Sequence, residues 1–408
     1  SISDTPVVEE GTDLVYTVTL TGGTSNSDII VPVTYVTDTA TGIATDGSDY
    51  TKVVNVTILA GQTTAKLTVP TLTDTLLEGD ETVTVTLQPG ADYTVSTTDG
   101  STTGTIKDAT QLTVSINDIS AVPEGNGLVY TVTMSGPSIT DITIPLTYDD
   151  GTAKPVLDFN GQPTFVIIEA GKTSATVTVP SLTDNVLEGD ETVIVKLGTP
   201  TGAPANTKVI LGVGDTGTGT ITDETQLTVG ISGTPTVKEG TDLIYTITLT
   251  GGTSPTPITV PLTFTGTATD GTDYTTVVNV TIPANATSVD VKVPTLTDTV
   301  KEPDETVIVT IGTPTGTPAN IKVIAGVGDS DTGTIQDDTQ LTVSISDTPV
   351  VNEGQDLVYT VTLTGGTSPN PIVVPVTYTG TAADGSDFTK VVNVTIPANS
   401  TTATLTVA

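Results

Sequence analysis

The phrase VVEEGTDLVYTVTL, opening at Val7, returns as AVPEGNGLVYTVTM, TVKEGTDLIYTITL and VVNEGQDLVYTVTL. Its Glu-Gly glutamates are Glu10, Glu124, Glu239 and Glu353, so the steps are 114, 115 and 114 residues. That period is too long for a solenoid rung and suits one complete β-sandwich of about 100 residues. The chain therefore reads as three copies, 1–109, 110–224 and 225–338, and a fourth, 339–408, that lacks its last two strands. The opening strand of the first copy is short, since Ser1 corresponds to Ser344 of TQLTVSISDT.

Alternation inside a copy fixes the fold class. In LVYTVTL, Leu14, Tyr16, Val18 and Leu20 share one face, while Val15, Thr17 and Thr19 share the other. A period of two is the mark of a half-buried antiparallel strand. ETVTVTL repeats the pattern with Val83, Val85 and Leu87 inward. Seven strands are expected in the first copy: A over 1–8, B over 14–20, C over 29–35, D over 51–58, E over 64–69, F over 82–87 and G over 103–106. Gly, Asp and Asn fill the connections. The expectation is an all-β chain of tandem immunoglobulin-like sandwiches arranged as an extended rod, without the disulfide or tryptophan of antibody domains.

Three acidic phrases punctuate this pattern: TLTDTLLEGDET from Thr71, SLTDNVLEGDET from Ser181 and TLTDTVKEPDET from Thr295. If the strands run up and down, the AB, CD and EF turns and the end of strand G meet at one pole. Nine of the fifteen acids in residues 1–109 then gather there: Glu9, Glu10, Asp46, Asp49, Asp74, Glu78, Asp80, Glu81 and Asp108. Only Lys107 is expected near them. Carboxylates about 5 Å apart repel by roughly 3 kcal/mol per pair at an effective dielectric near 20. Either they splay into water or cations neutralise them. A helical turn in the EF connection would bring Asp74, Glu78 and Glu81 to one side.

Composition narrows the chemistry. The net charge is −35, all twelve basic residues are lysines, and histidine, cysteine and tryptophan are absent. No Ser-His-Asp or Cys-His nucleophile can be assembled, and the usual zinc ligand sets cannot form. Nucleic-acid binding needs a basic surface that this chain does not have. No apolar run approaches the roughly 20 residues of a membrane helix. Hard, oxygen-seeking cations suit carboxylates, which favours calcium over transition metals.

With these residues in view, VEEGTDLVYTVTL, the segment TDGSDYTKVVNVTILAGQTTAKLTVPTLTDTLLEGDETVTVTL and TTGTIKD together resemble the Calx-β domain over essentially the whole chain. The resemblance implies Ca2+ held by the Glu-Gly glutamate, the aspartate of the Ser-Asp-Tyr turn, the EF-loop acids and aspartates after strand G. It carries over to Glu10, Asp49, Asp74, Glu78, Glu81 and Asp108 in the first copy. In the second it implies Glu124, Asp158, Asp184, Glu188, Glu191 and Asp223. In the third it implies Glu239, Asp273, Asp298, Glu302, Glu305, Asp337 and Asp338. Two departures stand out: AKPVLDFNG replaces the usual CD turn around Asp158, and Pro303 takes a glycine position. Glu353 and Asp387 have no EF or G partners in the fourth copy.

The resemblance implies a calcium-stabilised extender segment of a large bacterial surface adhesin or fibre, secreted or at the cell surface. Its expected partners are calcium ions, neighbouring repeats and other copies in a fibre, with no nucleic acid, no membrane insertion and no enzymatic activity. A calcium-sensing regulatory module is the alternative.

Overall fold

The structure, a computed structural model, describes residues 1–37, 42–148, 151–316, 323–326 and 328–408, and every regular element among them is a β-strand. The chain forms two compact units: residues 1–183 with 190–223, and residues 184–189 with 224–408.

In the first unit, the first copy supplies β1 (Ile2–Ser3), β2 (Val7–Glu9), β3 (Leu14–Thr19), β4 (Ile29–Tyr35), β5 (Asn55–Ile58), β6 (Thr64–Val69), β7 (Glu81–Leu87) and β8 (Ser101–Lys107). One sheet has the order β1-β3-β6 and the other β2-β8-β7-β4-β5. The expected strand A is thus two strands in opposite sheets. β1 runs antiparallel to β3, and β2 runs parallel to β8. Asp4 makes the crossing with a φ of 78°, a left-handed conformation that aspartate tolerates better than most residues. Pro6 follows, where a proline has no N–H to leave unpaired.

Alternation sets the core. Leu14, Tyr16, Val18, Val83, Val85 and Leu87 are all buried, as their two-residue spacing requires. Tyr16 spans the sandwich and donates its hydroxyl to the carbonyl of Val83 at 3.3 Å. Opposite it, a Cβ on Gly104 would lie 2.5 Å from the tyrosine oxygen, so the strand G glycine exists to admit that hydroxyl. The same pairing recurs as Tyr130 with Gly219 and Tyr245 with Gly333.

The second copy adds a feature absent from the expected seven strands. Lys208–Leu211, in the FG connection, pairs parallel with the opening strand Gln111–Ile116 and makes that sheet four-stranded. The two sandwiches of this unit also meet directly through the EF loop. Leu77, in the acidic phrase, is fully buried in the core of the second copy with Leu112, Met134 and Ile142. Its N–H donates to Pro137 O, and its own carbonyl accepts from Ile139 N–H, both at 3.0 Å.

The second unit repeats this plan. The third copy has a four-stranded sheet and a five-stranded sheet, and the segment Asp184–Gly189 packs against it. Leu187 is fully buried in that core, and its N–H donates to Thr253 O at 2.8 Å. Against the fourth copy the backbone contact persists, with Lys301 N–H donating to Thr367 O at 2.7 Å. The side chain at that position is now a lysine and remains exposed. The fourth copy has a three-stranded and a two-stranded sheet. Val361 and Leu363 are buried there, whereas Leu357 and Tyr359 are only half-buried.

Truncating a fully buried leucine removes its transfer energy and leaves a cavity, at about 2–5 kcal/mol. Leu77→Ala should therefore lower the melting transition of the second sandwich, although residue 77 belongs to the first copy. Calorimetry of the full chain checks this; an unchanged thermogram would show that the inserted leucine does not bear on the joint.

Candidate metal centres

Each turn at the acidic pole of the first copy is placed by an apolar anchor beside its acid. Tyr50 is buried against Tyr35, with ring centroids 5.3 Å apart, and this holds the CD turn that carries Asp49. Asp49 is itself buried and accepts a short hydrogen bond from the N–H of Thr45. Glu10 follows β2 in the AB turn, where its N–H donates to Lys107 O at 3.1 Å. Gly11 beside it has a φ of 76°, and a Cβ there would meet the Thr73 methyl at 2.8 Å.

The EF loop contains no helical turn, contrary to the sequence-based expectation. Its donors are used elsewhere. Asp74 Oδ1 accepts from Leu76 N–H at 2.7 Å, and Leu77 N–H goes to the next copy. Asp108 Oδ2 accepts from Glu78 N–H at 2.8 Å and from Gly79 N–H at 3.0 Å. Its other oxygen accepts from Thr110 N–H at 2.7 Å.

The loop still brings the acids together. Carboxylate oxygens of Glu10, Asp74 and Glu78 lie within 4.8 Å of one another, as do those of Asp49, Glu78 and Glu81. Glu78 is common to both trios. Oxygens coordinated to calcium at about 2.4 Å sit at most about 4.8 Å apart, so both trios fit a hard cation. Asp108 is not a member of either trio; it braces the loop that supplies them.

Burial first, then Asp108, Asp74 and Asp49, push Glu10 up to about 7 from an ordinary 4.5. Burial, Asp49 and Asp74 move Glu78 up to about 7 as well. Glu81 is also raised, by burial first and by Asp49 second. Three of the nine acids expected at the pole are spent otherwise. Asp46 pairs with Lys52 at 3.4 Å, a cation the sequence reading placed elsewhere. Asp80 accepts from the amide of Asn206 at 3.0 Å, and Glu9 is an exposed residue of β2.

In the second copy the candidates are divided between the two units. Glu124, Asp158, Glu191 and Asp223 belong to the first unit, and Asp184 and Glu188 to the second. Asp158 and Glu191 present oxygens within 4.8 Å of each other, and so do Asp184 and Glu188. Despite its altered CD turn, Asp158 keeps the place of Asp49 and accepts a short hydrogen bond from Lys154 N–H. The turn closes by holding Val156 at a φ of 74°, a strained conformation for a β-branched residue.

The third pole assembles Asp273, Glu302 and Glu305 within 4.8 Å. Among the described residues, Glu239, Asp298 and Glu302 form no matching trio. Burial, followed by Asp273, raises Glu305. Lys301 Nζ stands 2.7 Å from Asp337 Oδ2, and Asp338, exposed, lies 3.8 Å from Lys238. Glu353 and Asp387 in the fourth copy are both exposed and join no cluster among the described residues.

A family model described as the Calx-beta domain matches residues 2–118, 108–225, 222–339 and 336–407. The chain belongs to the Calx-beta family. Four such domains follow one another in tandem. The crystal structure of CBD12 from CALX1.2 is 18% identical over 55% of this chain and 99% of its own, with a TM-score of 0.26. The apo-form Calx CBD1 domain is 23% identical over 28% of this chain and 97% of its own, with a TM-score of 0.24. An Escherichia coli alpha-2-macroglobulin is 11% identical over 100% of this chain and 40% of its own, with a TM-score of 0.19. No curated protein sequence matches the chain.

The raised glutamates give the metal-free Calx-beta pole a pH signature. Between the ordinary value of 4.5 and about 7, the folded state binds more protons than the unfolded state. Stability from these groups is fully present below about 4.5 and is lost as pH rises through about 7. In metal-free buffer the first domain should therefore melt lower at pH 8 than at pH 5, and the Glu10→Gln/Glu78→Gln variant should flatten that dependence. A melting temperature that rises over this interval would contradict the crowded-pole geometry.

Proposed function

We propose that the chain is a run of calcium-stabilised extender repeats from a large secreted or cell-surface bacterial adhesin or fibre protein. One domain corresponds to each of residues 1–109, 110–224, 225–338 and 339–408. Calcium is the expected ligand at each complete pole, and the domains act as mechanical parts without catalytic activity. In the first domain the holding residues are Glu10, Asp49, Asp74, Glu78 and Glu81, with Asp108 bracing the loop. In the third domain Asp273, Glu302 and Glu305 serve the same role. The ion supplies positive charge between carboxylates that otherwise repel.

One observation carries this reading: the loop that bears Glu78 and Glu81 also bears Leu77, buried in the next copy. A cation that ties Glu78 to Glu10 and Asp49 fixes the loop from which Leu77 projects. Stability at the pole and rigidity at the joint then depend on the same few residues. Near-identical copies favour repetition of a mechanical part. Placement outside the cell, where calcium is plentiful and no arrangement of cysteines is needed, is part of the same proposal. So is lateral contact with other copies in a fibre.

A calcium-sensing module is the second reading, and the raised glutamates of the first pole favour it. Their protonation gives the metal-free pole a charge that differs from the ion-bound one, which a partner could read.

A site with a dissociation constant of about 10 μM adds about 2.7 kcal/mol at 1 mM ion. The full chain should therefore melt several degrees higher in millimolar calcium than in chelator, and magnesium should substitute poorly. Coincident melting curves in calcium and chelator would end the calcium reading. Small-angle scattering separates the two roles. Extender repeats should show a larger and sharper maximum dimension with calcium, whereas identical profiles would leave the ions no part in the joints.

A further inference from the structure

The acidic phrase varies at two neighbouring positions that the structure links. Leu77-Glu78-Gly79 and Leu187-Glu188-Gly189 become Lys301-Glu302-Pro303 in the third copy. In the first copy, Asp108 Oδ2 accepts from two backbone donors, Glu78 N–H and Gly79 N–H. Pro303 has no N–H to offer. The equivalent oxygen, Asp337 Oδ2, still accepts from Glu302 N–H at 2.8 Å. Its lost second donor is replaced by Lys301 Nζ at 2.7 Å, on a carboxylate side chain only 3% exposed. Gly79 also has a φ of 84°, which proline's ring forbids, so the two loops take different backbone paths.

The carboxylates differ accordingly. The first pole holds two trios joined at Glu78, and the third holds only Asp273, Glu302 and Glu305 among the described residues. The trio missing from the third pole contains Glu302, whose N–H is bound to the same aspartate as the lysine. A leucine at this position is buried in the following domain, but Lys301 turns back to its own pole.

We propose that Lys301 is the resident cation of the third pole, standing in for one of the metal ions that the first pole takes. The third domain then binds one ion fewer than the first. This inference rests on the calcium reading above and adds an inequality between the poles that the reading alone does not contain. An exposed ion pair contributes little, but a buried carboxylate left without its partner is costly, so the lysine also stabilises the metal-free domain. Burial works to raise the Asp337 carboxyl, yet Lys301 and the N–H groups of Thr339 and Glu302 outweigh it and hold the group below its ordinary range.

The test is equilibrium dialysis of the full chain against calcium, for wild type, Lys301→Gln and Lys301→Leu/Pro303→Gly. Both variants should bind one more calcium ion per chain than wild type. In metal-free buffer both should melt lower than wild type, and calcium should raise their melting temperature more. Equal stoichiometry in all three chains, with wild type binding calcium, overturns the role of Lys301 and leaves the calcium reading standing. A gain confined to the double variant assigns the exclusion to the path of Pro303 and likewise overturns it. If no chain binds calcium, both readings fall.

Discussion

Repulsion among the acids of one sandwich end is the constraint around which the first domain is arranged. Glu10, Asp49, Asp74, Glu78 and Glu81 converge from three loops, with Glu78 common to both oxygen trios. Each loop is anchored so that its acid stays put despite the crowding. Tyr50 stacks on Tyr35, Gly11 turns left-handed over Thr73, and Asp108 accepts three backbone N–H groups. Burial first, and then neighbouring carboxylates that the backbone donors to Asp108 leave unneutralised, push Glu10 and Glu78 toward neutrality. Such a cluster is preorganised for a cation at the expense of the metal-free state.

Much of this was legible in the sequence because strand alternation is a local signal. Leu14, Tyr16 and Val18 are buried where a period of two puts them, and the acids of the AB, CD and EF turns do share a pole. The division of strand A between two sheets was not legible, since Val7 and Val8 fit either sheet and only their parallel pairing with strand G decides. The expected helical turn failed for a related reason. Spacing of Asp74, Glu78 and Glu81 describes side-chain direction in a helix, but here the N–H groups of Glu78 and Gly79 are claimed by an aspartate about thirty residues later in the chain.

Leu77 and Leu187 do leave a trace in the sequence. Two adjacent apolar residues in an acidic loop serve no strand of their own copy. Their burial belongs to the next domain, a contact that a reading copy by copy does not contain. Lys301 is the complementary case: one lysine among acids resembles a surface ion pair until Pro303 is seen to have withdrawn a backbone donor.

The socket that receives these loops also has a sequence of its own. Gly251-Gly252-Thr253 and Gly365-Gly366-Thr367 recur at the BC turn, and Cβ atoms on Gly252 and Gly366 would come within 1.9 Å and 1.8 Å of the carbonyls of Asn185 and Thr299. Those glycines have φ values of 154° and 150°, in a region open to glycine alone. Gly22-Gly23-Thr24 of the first copy adopts nearly the same conformation, with Gly22 at 96° and Gly23 at 142°, although no heavy atom lies within 4 Å of a Cβ on either. The same pair of glycine dihedrals thus recurs in the first, third and fourth copies, set by the turn's own sequence. Docking into such a turn requires little reordering of the backbone, which lowers the entropy lost on contact. The second copy instead has Ser135-Gly136-Pro137-Ser138 at this turn, where the Pro137 carbonyl and the Ile139 N–H hold Leu77, so the receiving side varies in sequence while a cation at the EF loop would fix the inserting side.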